Sequence, residues 1–217
     1  MTDLAKQQFW DDLAEAVARL RAWDFSTPTG IREGFDPGDE PGSLREPSHD
    51  EVQASTAATI YSVWRGQFIR LTVDAALERA GLDGFDVPDD RALAALRRLL
   101  ENFASMRGRG SSGVNFFDAE DARTPEEARD LLILRALRRG LDLLSGATFA
   151  PAFARSRNQD DYRWGRLHRV VFRHALGGTF NLPPAGGFTS LAPLLPGFPR
   201  SGGFHVVDAS GHGARAA

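Results

Sequence analysis

The sequence predicts an α+β protein whose helical N-terminal two-thirds is followed by a short antiparallel β region. Apolar residues recur at spacings of three and four through residues 1–150, as in amphipathic helices. Residues 151–217 instead contain 10 glycines and 6 prolines, and their apolar runs have the length of strands. Helices followed by strands are typical of α+β proteins, whereas βαβ proteins alternate the two. We therefore divide the chain into a mainly helical region, 1–150, and a glycine- and proline-rich β region, 151–217.

The first two predicted helices begin with different signals. Residues 4–23 carry large apolar residues at helical spacing, namely Trp10, Leu13, Val17, Leu20 and Trp23. The second helix begins at "SHDE", where Ser48 can cap the first turn and Glu51 can bond back to the Ser48 amide. It should run to about Ala80, because Gly81 suits the left-handed conformation that ends many helices. Its small residues in "ASTAAT" would let another backbone approach closely.

Two more helices complete the first region. The third is predicted to start near Pro88 and Asp89 and to carry Leu93, Leu96, Leu100 and Phe103. The fourth begins at "TPEE", where Thr124 is the cap and Glu127 lies three residues after it. Its leucines continue to Gly146, which is expected to end the helix.

Composition excludes several classes of function. The net charge of −3 argues against a general nucleic-acid binder, since such proteins usually carry a basic excess. The absence of cysteine excludes disulfides, thiolate zinc sites and cysteine nucleophiles. No stretch has the length or apolarity of a signal peptide or of a membrane span, so neither export nor membrane insertion is predicted from the residues. The 8 arginines of 151–217 are spaced among apolar residues, and we interpret them as partners of acidic groups.

The β region contains two predicted strands and two predicted turns. The strands are "LHRVVFRHAL" and "GGFHVVDAS", and the turns are "PPAGG" and "PGFPRSGG". On the first strand His168 and His174 would face the same way but lie roughly 20 Å apart at about 3.3 Å per residue. They cannot share a metal ion, and histidines at the ends of an apolar stripe are usually hydrogen-bonded scaffold. We therefore predict a structural role for both.

Two further stretches could carry chemistry. Asp208, Ser210 and His212 fall within five residues of one another, which would suit a hydrolytic triad. On a strand, however, alternate side chains stand side by side about 6–7 Å apart, and no strained turn exposes the serine. The glycine-rich "RGRGSSG" at 107–113 lacks the lysine and the preceding strand of a phosphate-binding loop, so we predict a flexible loop there.

The segment "WGRLHRVVFRHALG" resembles the W-G-x-x-H segment of the penicillin acylase family, which includes cephalosporin and acyl-homoserine-lactone acylases. Other pieces agree with that family in the same order along the chain. "LRAWD" resembles the end of a family helix, and "ASTAATIYSVWRGQFIRLTVDAAL" resembles the helix that follows it. "PPAGGF" and "FPRSGGFHVVDASGHGAR" resemble the turn and the R-x-G-G strand near the family's C-terminus.

The resemblance implies the αββα fold of N-terminal-nucleophile hydrolases, in which a serine exposed by internal cleavage attacks an amide and its own amino group serves as base. The matching segment begins after that serine and after the oxyanion asparagine, so no catalytic role, cofactor or metal is carried over to any residue here. A structural role is carried over to Trp164, Gly165, His168, Gly186, Gly187, Arg200, Gly202 and Gly203. The family also implies a periplasmic or extracellular location.

We expect the chain to be the C-terminal portion of an amidase that hydrolyses a linear amide. Its expected partners are the rest of the acylase polypeptide (the upstream nucleophile-bearing segment and the small chain) and a small-molecule amide, with no nucleic acid or membrane. The alternative is a binding or regulatory module that keeps the scaffold without the chemistry. A third hypothesis, an independent hydrolase, would use Ser210, His212 and Asp208.

Overall fold

A computed structural model describes residues 3–29, 46–82, 84–85, 87–170, 175–176 and 198–202 of the protein. Its longer helices are α1 (Asp3–Ala22), α2 (His49–Ile69), α4 (Asp89–Glu101) and α6 (Pro125–Leu144). The shorter ones are α3 (Ala75–Arg79), α5 (Phe103–Met106), α7 (Ala150–Phe153) and α8 (Trp164–Leu167). A π-helical segment, Arg70–Asp74, joins α2 to α3, and Gln159–Asp161 form a 3₁₀ turn. The strands are β1 (Arg169–Val170) and β2 (Phe198–Pro199).

The helix ends follow from local side-chain chemistry. The Ser48 amide donates to Glu51 Oε2 at 2.8 Å and the Glu51 amide donates to Ser48 Oγ at 3.3 Å, which confirms the predicted capping box. Gly81 has a φ of 72°, as predicted for the residue that ends the helix. The Glu127 amide donates to Thr124 Oγ1 at 3.1 Å, confirming that cap as well. The Glu127 carboxylate, however, accepts from the preceding amide of Arg123 instead of that of Thr124.

The predicted antiparallel β region is wrong for the part of the chain that the structure describes. There, β1 and β2 are two residues long and pair antiparallel, with Arg169 opposite Pro199 and Val170 opposite Phe198. "WGRL" forms a helical turn, so Leu167 lies in α8 and not in a strand. Conversely, Pro199 lies in β2 although "PGFPRSGG" was predicted as a turn. Short apolar runs fit either a strand or a buried helical turn, which is why the pattern misled.

No layered sheet occurs among these described residues, so the αββα expectation is corrected together with the α+β class. The remainder of the predicted strands and the "PPAGG" turn fall on 171–174, 177–197 and 203–217, which lie outside the described residues. The division at residue 150 stays a prediction. The structure groups the chain differently, into one compact unit of Met1–Ser62 with Asp142–Ala217 and another of Val63–Leu141.

The unit Val63–Leu141 has a core of aliphatic and aromatic side chains. Its buried members come from the second half of α2, the π-helical segment, α4, α5, α6 and the loop before α6, and they are Phe68, Ile69, Val73, Ala92, Leu96, Leu99, Phe103, Phe117, Leu132 and Ala136. Gly140 of α6 lies against the backbone of Trp64, where an added Cβ would come within 3.3 Å of the Trp64 amide nitrogen. Trp64 Nε1 donates to the Ile133 carbonyl at 3.1 Å, which ties α2 to α6 within this unit.

The unit Met1–Ser62 with Asp142–Ala217 is built around the first half of α2. The six residues of "ASTAAT" are all buried, as expected for small side chains against which other backbone packs. Ser55 Oγ donates to the Thr29 carbonyl at 3.2 Å, so the chain after α1 is the backbone that approaches. Trp23 packs its ring 5.3 Å from that of Tyr61 in the same unit.

Tyr162 gives this unit a pH-dependent contribution to stability. The side chain is buried, its hydroxyl donates to the Ser156 carbonyl at 2.9 Å, and burial raises the pKa of Tyr162 to about 12. Because this pKa is higher in the folded than in the unfolded state, the contribution is complete below pH 10 and is lost as the pH rises from about 10 to about 12. We expect the free energy of unfolding, measured in urea, to fall over that interval.

The matched variant is Tyr162→Phe. It should unfold more easily at neutral pH, by about 1 kcal/mol, because the hydrogen bond to Ser156 is lost. Between pH 10 and 12 its stability should fall less than that of the wild type, since the buried phenol no longer ionises. If the free energy of unfolding falls equally with pH in the two proteins, Tyr162 is not the group that causes the fall.

Candidate functional site

The Trp164 side chain anchors the helical turn α8. It is completely buried. Its backbone amide donates to Ser55 Oγ at 2.7 Å, and its indole Nε1 donates to the Gly202 carbonyl at 2.9 Å. Both nitrogens at this position therefore have partners from distant parts of the chain, as a buried donor requires.

Gly165 allows two backbone segments to come into contact. Its amide donates to the Thr29 carbonyl at 2.7 Å, the same oxygen that accepts from Ser55 Oγ. An added Cβ at residue 165 would lie 2.6 Å from that carbonyl oxygen and 2.7 Å from Thr29 Cβ. The W-G dipeptide thus combines a buried anchor with a position where only hydrogen fits.

His168 follows α8 and uses its ring for structural contacts. The ring is stacked on that of Trp164, with centroids 5.2 Å apart and planes 24° from parallel, and only 9% of the residue is exposed. Nδ1 lies 2.7 Å from the Arg200 carbonyl oxygen. Because a carbonyl can only accept, Nδ1 carries the proton and donates. The Arg200 amide in turn donates to the His168 carbonyl at 3.0 Å, so side chain and backbone bind the same neighbour.

Gly202 completes what we call the motif junction, defined as Thr27, Thr29, Ser55, Trp164, Gly165, His168, Arg200 and Gly202. The Gly202 amide donates to Thr27 Oγ1 at 2.6 Å, and its φ of 91° is one that favours glycine. The structure thus brings together five of the eight predicted residues. Gly186, Gly187 and Gly203 lie outside the described residues.

Sequence reasoning missed the partners contributed by Thr27, Thr29 and Ser55. These side chains and carbonyls lie more than 100 residues from the W-G-x-x-H segment in sequence, so no local pattern connects them. The small residues of "ASTAAT" were the one usable signal. They predicted that another backbone segment approaches α2 closely, but they do not identify that segment.

Arginines surround the junction and bind backbone carbonyls. Arg169 Nη1 donates to the Gly165 carbonyl at 2.8 Å, and Arg166 Nη1 donates to the Ala152 carbonyl at 3.4 Å. Burial lowers the pKa of Arg169, and the nearby charge of Arg166 lowers it further. The pKa of Arg163 is also lowered, and burial is the main cause. These contacts are made with carbonyl oxygens, and the pairing of the arginines with acids stays a prediction. Asp160 of the same region pairs with Arg19 of α1 at 2.8 Å.

A sequence profile of one protein family matches almost the whole chain. The family is described as penicillin amidase, and the match covers residues 1–216. The chain belongs to the penicillin amidase family. This agrees with the resemblance in the W-G-x-x-H segment, and it places the protein among hydrolases of carbon–nitrogen bonds. No curated protein and no solved structure matches the chain.

The other candidate residues of this penicillin amidase family member are the second strand histidine and the members of the possible triad. His174, Asp208, Ser210 and His212 lie outside the described residues. Within the ranges that the structure does describe, no group of three side chains is arranged to hold a metal ion. None of the helices there is long and apolar enough to span a bilayer.

The glycine-rich stretch 107–113 forms a hydrogen-bonded turn. Arg109 makes an isolated antiparallel bridge with Asn115, and the Gly110 amide donates to the Val114 carbonyl at 2.9 Å. The Arg109 guanidinium also donates to the Gly113 carbonyl at 3.0 Å. The Arg109 guanidinium and the Gly110 amide are thus both bound to the loop's own backbone.

A test of His168 separates a scaffold role from catalysis. We expect His168→Ala to lower the free energy of unfolding by about 1–3 kcal/mol, because the Arg200 carbonyl loses its partner and the stack on Trp164 is lost. Asn or Gln at 168 should be milder, since each retains a donor. The measurement is urea unfolding, with His49→Ala as the matched control, because His49 is exposed.

The same substitution in an active enzyme that contains this chain should reduce yield or processing and leave turnover of the mature protein nearly unchanged. A normally folded and processed enzyme whose turnover falls at least about a hundredfold, the usual loss of a general acid or base, would make His168 catalytic.

Proposed function

We propose that this chain supplies scaffold to an amidase that hydrolyses a linear amide, and that the nucleophile is an N-terminal serine outside these 217 residues. In the proposed reaction the serine oxygen attacks the amide carbonyl and the amine leaves with a proton relayed by the serine's own amino group. Water then hydrolyses the acyl ester and regenerates the serine. The overall reaction is acyl transfer from an amide to water.

One observation carries this proposal. The groups of the W-G-x-x-H segment that could do chemistry are engaged with backbone: His168 Nδ1 binds the Arg200 carbonyl and Trp164 Nε1 binds the Gly202 carbonyl. A general base must reach a substrate proton at about 2.6–3.2 Å. The Nδ1 of His168 is directed to protein backbone instead, as in a scaffold.

The partners that this proposal requires are the remainder of the acylase polypeptide and a small-molecule amide. The junction supports such a role because hydrogen bonds join three separate segments, at 27–29, 164–168 and 199–202, and Ser55 of α2 bonds to the first two of them. Catalytic groups need a rigid frame that holds them to within about 0.5 Å. A rigid frame of this kind could hold groups that another segment brings.

The test compares the purified chain alone with the same chain co-expressed with a serine-led, nucleophile-bearing segment of the family. Chromogenic phenylacetyl and long-chain acyl amides are the substrates. We expect no turnover by the chain alone, because removal of a serine nucleophile lowers kcat by about 10⁶-fold. Co-expression should restore turnover, and replacing that segment's serine with alanine should abolish it.

Two other outcomes would replace the proposal. Turnover by the chain alone that is lost in Ser210→Ala would favour an independent hydrolase using Ser210, His212 and Asp208. A stable complex with the serine-led segment that never turns over amide would favour the binding or regulatory module.

A further inference from the structure

Residues 3–29 are attached to the rest of their unit by contacts distributed along their length. The first is at Arg19 of α1, whose side chain is only 10% exposed. Its guanidinium donates to Gln53 Oε1 at 2.6 Å and to Asp160 Oδ1 at 2.8 Å. One side chain thus binds both α2 and the segment before α8. Charge-assisted hydrogen bonds of this kind are about twice as strong as neutral ones.

A second attachment lies at Asp12, about two turns before Arg19 in α1. Gln159 is 2% exposed, and its Nε2 donates to the Asp12 carbonyl at 2.8 Å. Leu13 and Ala16 of the same helix are buried, at 6% and 0% exposure. The middle of α1 is therefore fixed by apolar burial and by a buried amide.

A third attachment lies beyond the end of α1, in the motif junction. The Thr29 carbonyl accepts from both the Gly165 amide and Ser55 Oγ, and Thr27 Oγ1 accepts from the Gly202 amide. The contacts of Arg19 with Asp160, of Asp12 with Gln159 and of Thr27 with Gly202 span 141, 147 and 175 residues of sequence. Each of these contacts joins residues 3–29 to a residue at position 159 or beyond.

We propose that residues 3–29 are a detachable segment that binds an acceptor surface on the same unit, and that this binding does not require the covalent link between Thr29 and Glu46. The acceptor surface is defined by Gln53, Ser55, Gln159, Asp160, Gly165 and Gly202. Its occupant is the chain's own N-terminal segment, either linked or supplied as a separate polypeptide. The link raises the effective concentration of the segment.

The experiment cuts the full, folded chain. A recognition sequence for a specific protease is inserted between residues 37 and 38, the chain carries an N-terminal affinity tag, and cleavage follows purification. We expect most of the large fragment to stay with the tagged fragment after capture and washing at micromolar concentration. If most of the large fragment is instead released during washing, the proposal is wrong.

A matched pair of variants shows whether the described contacts are responsible. Arg19→Gln should speed release of the large fragment by about tenfold or more, because the bonds to Asp160 and Gln53 are charge-assisted. Arg97→Gln is the control, since Arg97 forms an exposed pair with Glu101 within α4, and release should be unchanged. Equal release from both variants would contradict the assignment of the acceptor surface.

A mixing control excludes association between copies. Uncut tagged chain is mixed with uncut untagged chain, and co-capture of the untagged chain must be small compared with retention in the cut sample. High co-capture would mean that oligomers retain the fragment, which would also count against the proposal. The readout is fragment retention and not turnover, so its result is independent of the amidase proposed above.

Discussion

Replacing Gly165 with alanine is expected to lower the free energy of unfolding by about 3 kcal/mol, the upper range for overpacking a tight site. The added Cβ would lie 2.6 Å from the Thr29 carbonyl oxygen, 2.7 Å from Thr29 Cβ and 3.1 Å from Pro199 Cβ. The closest of these atoms belongs to backbone, and the same oxygen accepts the Gly165 amide at 2.7 Å. Relief of the clash therefore moves the chain after α1 and lengthens the hydrogen bonds to Thr29.

The matched control for this substitution is Gly66→Ala in α2. An added Cβ at residue 66 meets nothing within 4 Å, and the residue lies inside a helix. Alanine should there raise stability by about 0.5–1 kcal/mol, because it loses less conformational entropy than glycine on folding. Urea unfolding of both variants measures the difference. A Gly165→Ala protein as stable as the wild type would show that the segment containing Thr29 can shift at little cost.

The helices of this protein could be predicted because their signals are local. Ser48 with Glu51, Thr124 at its cap and Gly81 at a left-handed end all act within one or two turns of their own sequence. Such signals do not depend on what packs against the helix. The predicted starts near residues 4, 48, 88 and 124 therefore match α1, α2, α4 and α6 closely.

The C-terminal third could not be predicted in the same way. The run after Trp164 is short and mixes apolar residues with arginines and histidines, and it fits a strand or a buried turn equally well by periodicity. Tertiary contacts decide between them: the Trp164 amide is bound by Ser55, the Gly165 amide by Thr29, and the chain turns helically there before it extends at His168. Both partners are more than 100 residues away in sequence.

The candidate site was located through its residues but not through its geometry. Trp164, Gly165 and His168 could be singled out because the W-G-x-x-H pattern resembles that of a known family. That Thr27, Thr29 and Ser55 would complete the junction follows only from the three-dimensional contacts. A backbone carbonyl such as that of Thr29 has no side-chain signature, so sequence alone cannot reveal it as an acceptor.

Replacing Trp164 with alanine is expected to have the largest effect of any single change at the junction, about 4 kcal/mol of unfolding free energy. The indole is completely buried, stacks on His168 and donates to the Gly202 carbonyl. Alanine removes all three contributions and leaves a cavity. Trp10→Ala is the control, because Trp10 is 60% exposed and its ring contacts that of Phe9. Apart from the loss of that contact, the substitution should lower the free energy of unfolding by less than about 0.5 kcal/mol.

The variant Trp164→Phe separates packing from hydrogen bonding. Phenylalanine retains a ring for the stack on His168 but cannot donate to the Gly202 carbonyl, whose segment also binds Thr27. We expect Trp164→Phe to cost about 1–2 kcal/mol, between the wild type and Trp164→Ala. If Phe is as destabilising as Ala, the bond from Nε1 to Gly202 dominates, and it is the attachment of the segment 198–202 that fails. If Trp164→Ala unfolds like the wild type, the junction is not what stabilises this unit, and the structural role predicted for the W-G-x-x-H segment is wrong.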